Sequence, residues 1–226
     1  MKEKILNVTA TVLFMIALGV FVITFSIGLP IYVRPFYYSQ IEELGIPERT
    51  GMTVEQIKEG YDEVLDYLTL PNKEFGTGDF AYSEDGASHF ADCKVLFDLN
   101  LYCFIASVVL ILVLLILKKV GVIELISPRG FFAPFWTGVF TLSLFASLAG
   151  LCAIDFDKAF VVFHSIFFPG KDNWMFNSRL DEIILAMPSD FFMRCAILIA
   201  SSIILLSIAF IVLGVVLKKK KRGCRI

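Results

Sequence analysis

The sequence is poor in residues that support metal, phosphate or hydride chemistry. It has only two histidines, His89 and His164, and no H-E-x-x-H motif, and two histidines alone make a poor zinc site. It also lacks the G-x-S-x-G elbow of hydrolases, the Walker phosphate loop and the dinucleotide-binding glycine motif. We therefore expect no metal and no cofactor.

Cysteine is scarce as well. The five cysteines are scattered along the chain, and no C-x-x-C pair occurs among them. This spacing argues against a zinc or disulfide framework and predicts mostly buried packing residues. Cys93 lies close to His89 in the sequence, so it remains a candidate nucleophile to be tested.

Charge is nearly absent from four long apolar stretches. The chain has 226 residues, of which 57% are hydrophobic, and its mean hydropathy is +0.76. Each stretch reaches the roughly 20 residues that a helix needs to cross a bilayer core. No run of acidic residues lies within them, so a channel or transporter is poorly supported. We predict an all-α membrane protein with four transmembrane helices and a small extracellular cap.

The segment boundaries follow from these stretches. The first stretch is too long for a signal peptide and lacks a small-residue cleavage site, so it is predicted to be a retained span. The four spans are predicted at 1–34, 97–117, 131–153 and 191–217. Between them we predict an extracellular cap segment at 35–96, a cytoplasmic loop at 118–130, a second extracellular segment with short interfacial helices at 154–190, and a basic cytoplasmic tail at 218–226.

The distribution of basic residues predicts the orientation. Eleven lysines and arginines lie at the N-terminal tip, in the loop after the second span and in the C-terminal tail, whereas segment 35–95 has thirteen acidic residues against four basic ones. The positive-inside rule therefore predicts that both termini are cytoplasmic. We expect the basic tail to contact anionic membrane lipid rather than nucleic acid.

The cap segment carries one clear helix start. Thr53 and Gln56 have the spacing of a capping box, and apolar residues recur at helical spacing from Val54 to Leu68. These features predict an amphipathic helix whose apolar face packs inward.

The end of the cap segment is predicted to be irregular. Three glycines and alternating aromatic residues in 74–88 suggest a loop or a short hairpin, whose turn would lie at 84–86. Ser88 is the predicted N-cap of a helix that runs directly into the second span.

The second extracellular segment is predicted to lie in the membrane interface. Asp157 can cap a short apolar helix that ends at Phe167, and 179–187 is predicted to form a second short amphipathic helix. Ser189 is expected at the start of the fourth span. Arg194 follows near the outer boundary, where a charge either snorkels or meets an anionic partner.

The two histidines lie just outside predicted spans, on the same side of the bilayer. On a helix, Asp92 and Cys93 share a face with His89, so Asp92 could orient the imidazole, while Lys94 points elsewhere and could snorkel to headgroups. A histidine at such a boundary is often only a structural amphipathic residue, and for His164 both interpretations stay open.

The same residues carry a family resemblance. The order H-F-x-D-x-K before the second span, then F-H-S-I-F-F-x-G, an N-W pair, and P-S-D-F-F before the fourth span resembles the bacterial lipoprotein intramolecular transacylases. The similarity covers nearly the whole chain, including the four spans and a larger first outer segment.

The resemblance implies a membrane acyltransferase of the bacterial cell membrane with its active site at the outer face. It would move the sn-2 acyl chain of a lipoprotein's N-terminal S-diacylglyceryl-cysteine to the α-amino group of the same cysteine, giving the lyso form without a cofactor. The family's two catalytic histidines correspond to His89 and His164. On chemical grounds we expect His89, supported by Asp92, to be the base and His164 the acid, although the roles could be exchanged. The further supporting or substrate-binding candidates are Lys94, Tyr82, Trp174 and Arg194.

Two other functions remain to be weighed. A non-enzymatic four-span scaffold or accessory subunit would keep its function without the histidines. A phospholipid acyltransferase or lipase would use the same boundary position on free lipid. The expected partners of the transacylase are diacylglyceryl-modified lipoproteins and membrane lipids, with no nucleic acid.

Overall fold

The computed structural model describes residues 1–223. Within that range the chain forms nine α-helices and one 3-10 turn and has no β-strand. The helices, numbered in chain order, are α1 (Lys2–Tyr32), α2 (Pro35–Tyr38), α3 (Ile46–Thr50), α4 (Val54–Thr69), α5 (Glu84–Lys119), α6 (Ala133–Ile154), α7 (Phe156–Phe167), α8 (Ile183–Ala186) and α9 (Ser189–Gly223).

Four of these helices, α1, α5, α6 and α9, are long and apolar enough to cross a membrane. The predicted all-α fold with four spans is therefore confirmed. Helix α5 extends well upstream of the predicted span 97–117, because its first three turns belong to the cap segment.

The chain divides into two compact units, and the first contains residues 1–27, 101–150 and the chain from 199. Its interior is held together by small and hydroxyl side chains. Thr141 Oγ1 lies 2.6 Å from Ser207 Oγ, and Ser26 Oγ donates to Ser202 Oγ at 3.0 Å. A methyl group on Gly138 would lie 2.5 Å from the Ser207 carbonyl oxygen, so α6 and α9 meet backbone to backbone. Close approach at small residues is typical of helices packed in lipid.

The loop between α5 and α6 is anchored on α1. Asn7 Oδ1 accepts from the Glu124 N–H at 2.9 Å, and Thr11 Oγ1 accepts from the Ile126 N–H at 2.9 Å. Lys218, the first residue of the predicted basic tail, donates to the Arg129 carbonyl at 3.2 Å. The tail is not a separate segment at its start, because α9 continues to residue 223. The remainder of the tail, 224–226, lies outside the described residues.

The second unit contains residues 28–100 and 151–198 and has its own apolar core. Helix α4 packs against α3 and α8. Tyr37 and Tyr61 stack with their centroids 3.7 Å apart, and the Tyr37 hydroxyl donates to the Ala186 carbonyl at 2.8 Å. Burial raises the pKa of both phenols, so they stay neutral and serve as packing residues.

Helix α4 begins as predicted. Thr53 Oγ1 accepts from the Gln56 N–H, and the Gln56 side chain accepts from the Thr53 N–H, which completes the capping box. Its apolar face, including Ile57, Val64 and Leu68, is buried. The pattern of apolar residues was sufficient here because the helix presents one continuous face to one core.

The predicted hairpin turn at 84–86 and the predicted N-cap Ser88 are both wrong. Residues 84–86 are the first turn of α5, and Ser83 caps it, because Ser83 Oγ accepts from the Gly86 N–H at 3.0 Å. The buried Asp181 carboxylate accepts from the N–H and the hydroxyl of Ser83, at 2.9 and 2.8 Å. A cap supported by a carboxylate nearly one hundred residues away cannot be read from local spacing.

The second extracellular segment also differs in detail from the prediction. Helix α7 is capped by Asp155, which accepts from the Lys158 N–H, and not by Asp157. Of the predicted helix at 179–187, only α8 is helical. Helix α9 begins at Ser189, as predicted.

Candidate active site

The structure brings the two histidines together in the second unit. His89 lies in the second turn of α5 and His164 in the last turn of α7. Their ring centroids are 5.8 Å apart with the planes inclined by 33°. Each residue is only 6% exposed. Two buried imidazoles at this separation can act on neighbouring atoms of one bound molecule.

Aromatic side chains surround the pair. Phe168 and Phe176 meet the His89 ring edge-on, with centroids at 4.9 and 5.5 Å. Trp174 stacks on the His164 ring at 4.5 Å, and Phe160 contacts it at 4.2 Å. The surround is apolar, which limits water near the rings and strengthens electrostatic interactions there.

A backbone hydrogen bond fixes the tautomer of His164. Its Nδ1 lies 2.8 Å from the Phe160 carbonyl oxygen, which can only accept, so Nδ1 carries the proton. The neutral ring therefore has its lone pair on Nε2. Burial lowers the pKa of the His164 imidazole, and the hydrogen bond to Phe160 opposes part of that effect. The ring is thus held as a neutral base at ordinary pH.

The environment of His89 is different. Its Nε2 lies 3.4 Å from the Cys93 thiol, one turn along α5. Its Nδ1 is buried and has no hydrogen-bond partner among the described residues. An unpartnered buried nitrogen is costly, by about 1–3 kcal/mol, and is available for a donor or acceptor on a bound substrate.

Asp92 does not contact the His89 imidazole. Its carboxylate accepts from Lys171 Nζ and, at 3.1 Å, from the Asn173 side-chain N–H. Among the described residues no hydrogen bond joins Asp92 to the His89 ring, because Lys171 and Asn173 bind the carboxylate. Burial lowers the pKa of His89 to about 4, and the Asp92 charge opposes part of that effect. Asp92 fastens the segment after α7 to α5.

Two other predicted residues, Lys94 and Arg194, bind partners other than the histidines. Lys94 Nζ donates to the carbonyls of Tyr67 and Leu70, at 2.7 and 3.1 Å, and so caps the end of α4. It does not extend to headgroups. Arg194 meets an anionic partner and does not snorkel, because its guanidinium donates to both carboxylate oxygens of Glu43, at 2.7 and 2.9 Å.

Tyr82 is 49% exposed. Its ring meets the edge of Phe75 at 4.9 Å, and Phe75 stacks on Phe90 at 5.2 Å. It belongs to an aromatic cluster that reaches Phe176 beside His89, but no contact between Tyr82 and either histidine is described.

Sequence reasoning missed several residues of the site. Phe160, Phe168 and Phe176 form its walls, and Lys171 and Asn173 fasten it to α5. The abundance of phenylalanine hid the first three, since a lipid-facing ring and a pocket ring look the same in a sequence. Trp174, an aromatic candidate from the sequence, stacks on His164. The described residues form no cluster of three or more His, Cys, Asp or Glu side chains that could hold a metal.

Comparisons with known proteins identify the family of the chain. A family model described as lipoprotein intramolecular transacylase Lit matches residues 12–192. The structure is similar to that of the membrane-integral lipoprotein intramolecular transacylase Lit from Bacillus cereus, with a TM-score of 0.85, 27% identity, and coverage of 96% of this chain and 98% of that one.

Two further structures of the Bacillus cereus protein carry a single histidine substitution. The arginine variant matches with a TM-score of 0.79 and 26% identity over 96% of this chain and 94% of that one. The alanine variant has the same TM-score and identity over 96% of each chain. A search of curated protein sequences returned no relative. Because the family model spans most of the chain, this protein belongs to the lipoprotein intramolecular transacylase (Lit) family of membrane-integral enzymes.

Proposed function

We propose that the protein converts diacylglyceryl-modified lipoproteins to their lyso form. The sn-2 acyl chain of the N-terminal S-diacylglyceryl-cysteine moves to the α-amino group of the same cysteine. The observation that carries this proposal is the pair of buried imidazoles, with centroids 5.8 Å apart and surrounded by aromatic side chains, in a chain of a transacylase family.

The chemistry conserves all atoms of the substrate. The lone pair of the neutral α-amine attacks the ester carbonyl carbon and forms the new C–N bond, while the carbonyl oxygen takes up negative charge. One imidazole removes a proton from that nitrogen. The tetrahedral intermediate then collapses, the bond between the carbonyl carbon and the sn-2 oxygen breaks, and the second imidazole supplies the proton for the glyceryl oxygen. Transfer of one proton between the two rings restores the starting state.

The hydrogen bonds of the two rings favour an exchange of the roles expected from the sequence. His164 has its proton held on Nδ1 by Phe160, so its Nε2 is the better-defined base. Among the described residues His89 has no hydrogen bond to a carboxylate, because Asp92 is bonded to Lys171 and Asn173. Burial lowers the pKa of the His89 imidazole to about 4. We therefore assign His164 as the base and His89 as the donor to the carbonyl and glyceryl oxygens.

The aromatic surround supports transfer over hydrolysis. The amine and the ester belong to one molecule, so the main task of the site is to hold them in a near-attack geometry. Phe168, Phe176 and Trp174 leave little room for water beside the imidazoles. Water would compete with the amine for the ester, and its exclusion keeps the acyl chain on the lipoprotein.

The orientation of the protein is part of the proposal. The excess of basic residues at the N-terminal tip, in 118–130 and in the C-terminal tail supports cytoplasmic termini. The segments at 35–96 and 154–190, which carry both histidines, would then face the outside.

The test is mass spectrometry of the N-terminal lipopeptide of a synthetic diacylglyceryl lipoprotein, incubated with the full-length protein in detergent. The expected product has an unchanged mass and one acyl group that withstands mild alkali, because an amide replaces an ester. Loss of an acyl group as free fatty acid would favour the lipase. No acyl movement by a folded preparation would contradict the proposal and favour a role as a scaffold.

A second arm tests whether transfer is intramolecular. Two lipopeptides of different sequence, one with deuterated acyl chains, are incubated together. Each product should keep its own label. Exchange of label between the peptides, or entry of a chain from added phospholipid, would indicate an intermolecular acyltransferase.

A further inference from the structure

One buried oxygen in the segment after α7 has no hydrogen-bond partner among the described residues. It is Oδ1 of Asn173. The same side chain uses its other end fully, since Nδ2 donates to Asp92 Oδ2 at 3.1 Å and to Ser88 Oγ at 3.4 Å. Buried polar atoms in folded proteins are almost always satisfied, so the oxygen requires an explanation.

The orientation of this amide is fixed by charge. A carboxylate can only accept, so the NH₂ group of Asn173 must face Asp92 and the carbonyl oxygen must point away from it. Lys171 binds the same carboxylate and keeps it ionised and in place. A flip of the amide would bring two oxygens together, which the ion pair makes unfavourable. Asn173 therefore presents a rigid, acceptor-only atom.

The position of Asn173 places it against the residues that flank both histidines. Ser88 and Asp92, its two partners, are the residues one before and three after His89 on α5. Trp174, its neighbour in the chain, stacks on His164. Asn173 is thus bonded to residues adjacent to His89 on α5, and the next residue in the chain covers His164.

We propose that Asn173 Oδ1 accepts a hydrogen bond from the substrate α-amine. The donor is the N–H group that keeps its proton when the base removes the other one. This inference rests on the proposed function. The ester offers no donor, and the oxyanion of the intermediate would be repelled by a carbonyl oxygen, so the amine is the group at the reacting centre that matches an acceptor. As the amine attacks, its nitrogen becomes positively charged and its remaining N–H becomes a stronger donor, so the bond strengthens in the transition state.

The test combines an enzyme variant with a substrate variant. Asn173→Leu keeps the branched shape of the side chain but removes the acceptor, together with the N–H donors to Asp92 and Ser88. An N-methyl-cysteine lipopeptide removes the N–H that would bind Oδ1. The secondary amine still has one proton for the base and yields a tertiary amide. In the wild type, N-methylation should lower kcat about 10- to 100-fold in addition to any steric effect. This is the loss expected when a charge-assisted hydrogen bond is removed.

The decisive comparison is a double-mutant cycle that combines the enzyme variant with the N-methylated substrate. Asn173→Leu should lower kcat for the ordinary substrate with little change in KM and should then show only the small steric effect of the methyl group. Asn177→Leu, the same change at an exposed asparagine of this segment, should keep the full N-methyl effect. An equal N-methyl effect in wild type and Asn173→Leu would overturn the inference and would indicate that Oδ1 binds another donor or serves packing.

A second variant keeps the test valid if Asn173→Leu fails to fold. Asn173→Ala removes the same oxygen without placing a branched chain in the pocket and should show the same insensitivity to N-methylation. If the wild type transfers the acyl chain but both variants remain sensitive to N-methylation, only this inference fails. If the wild type does not transfer the chain at all, the proposed function fails with it.

Discussion

Trp174 stacks on the imidazole of His164, with ring centroids 4.5 Å apart and planes inclined by 29°. The indole is itself held, since its Nε1–H donates to the Lys171 carbonyl at 3.1 Å. The stack covers one face of the ring while Phe160 contacts it at 4.2 Å. This cover is the physical origin of the lowered pKa of His164, in which burial is the largest contribution.

The first prediction concerns pH. Protonation of His164 removes the proposed base, so activity is lost as pH falls through its pKa. Because burial lowers that pKa, the acidic limb of kcat should lie below the ordinary histidine value of about 6.5. Trp174→Leu exposes the ring, raises its pKa and should move the acidic limb toward neutral pH. The measurement is kcat between about pH 5 and 8.

Trp136→Leu is the matched control for this experiment, because Trp136 lies in α6, in the other unit. Its pH profile should coincide with that of the wild type. An acidic limb that stays in place in Trp174→Leu would show that the stack does not set the protonation of the base.

The second prediction concerns the start of α5. Asp181→Ala leaves the N–H and hydroxyl of Ser83 without their acceptor and should lower the free energy of unfolding by about 1–3 kcal/mol. It should also lower the transfer rate, since His89 is carried by the first turns of this helix. Thermal unfolding in detergent and the transfer assay measure the two effects. Asp172→Ala, at an exposed position of the same segment, should change neither; an unaltered melting temperature in Asp181→Ala would rule out this support.

The third prediction separates Lys94 from the chemistry. Its ammonium caps the C-terminal carbonyls of α4, so Lys94→Met should lower the free energy of unfolding by about 1 kcal/mol and leave kcat of the folded enzyme unchanged. Lys73→Met, which removes only an exposed ion pair to Asp66, should have a smaller effect on unfolding. A loss of kcat at unchanged stability would instead return Lys94 to the substrate site.

The fourth prediction concerns the thiol beside His89. Cys93 packs against the apolar core of the second unit, where a thiolate is disfavoured and nucleophilic attack is weak. Cys93→Ala should therefore keep most of the transfer activity. Intact-protein mass spectrometry during turnover should show no acyl adduct on the wild type. An adduct that disappears in Cys93→Ala together with activity would establish the acyl-enzyme mechanism.

The sequence predicted those parts of the fold that depend on one element alone. Apolar length was enough for the four spans, and the Thr53–Gln56 spacing was enough for the start of α4. His89 and His164 could be singled out because no other histidine competes with them. Each of these signals is local, and tertiary structure did not override it.

The departures from the sequence-based predictions share a different cause. Asp92 had the right helical spacing to support His89, but Lys171 and Asn173 arrive from another segment and take its carboxylate. Ser83 and not Ser88 caps α5, because the Asp181 carboxylate, distant in sequence, accepts hydrogen bonds from Ser83 and holds it in place. In both cases the partner is distant in sequence, so helical spacing alone could not identify it.

The most direct test of the account is the transfer assay with His89→Ala, His164→Ala and the double variant, each verified as folded by its melting temperature. Two imidazoles that act as a unit should show strong non-additivity, so each single variant should lose about 10²–10⁴-fold in kcat and the double variant little more. That result would establish the pair as the catalytic centre. A single variant that keeps near wild-type kcat, or losses that simply multiply, would contradict the two-histidine mechanism.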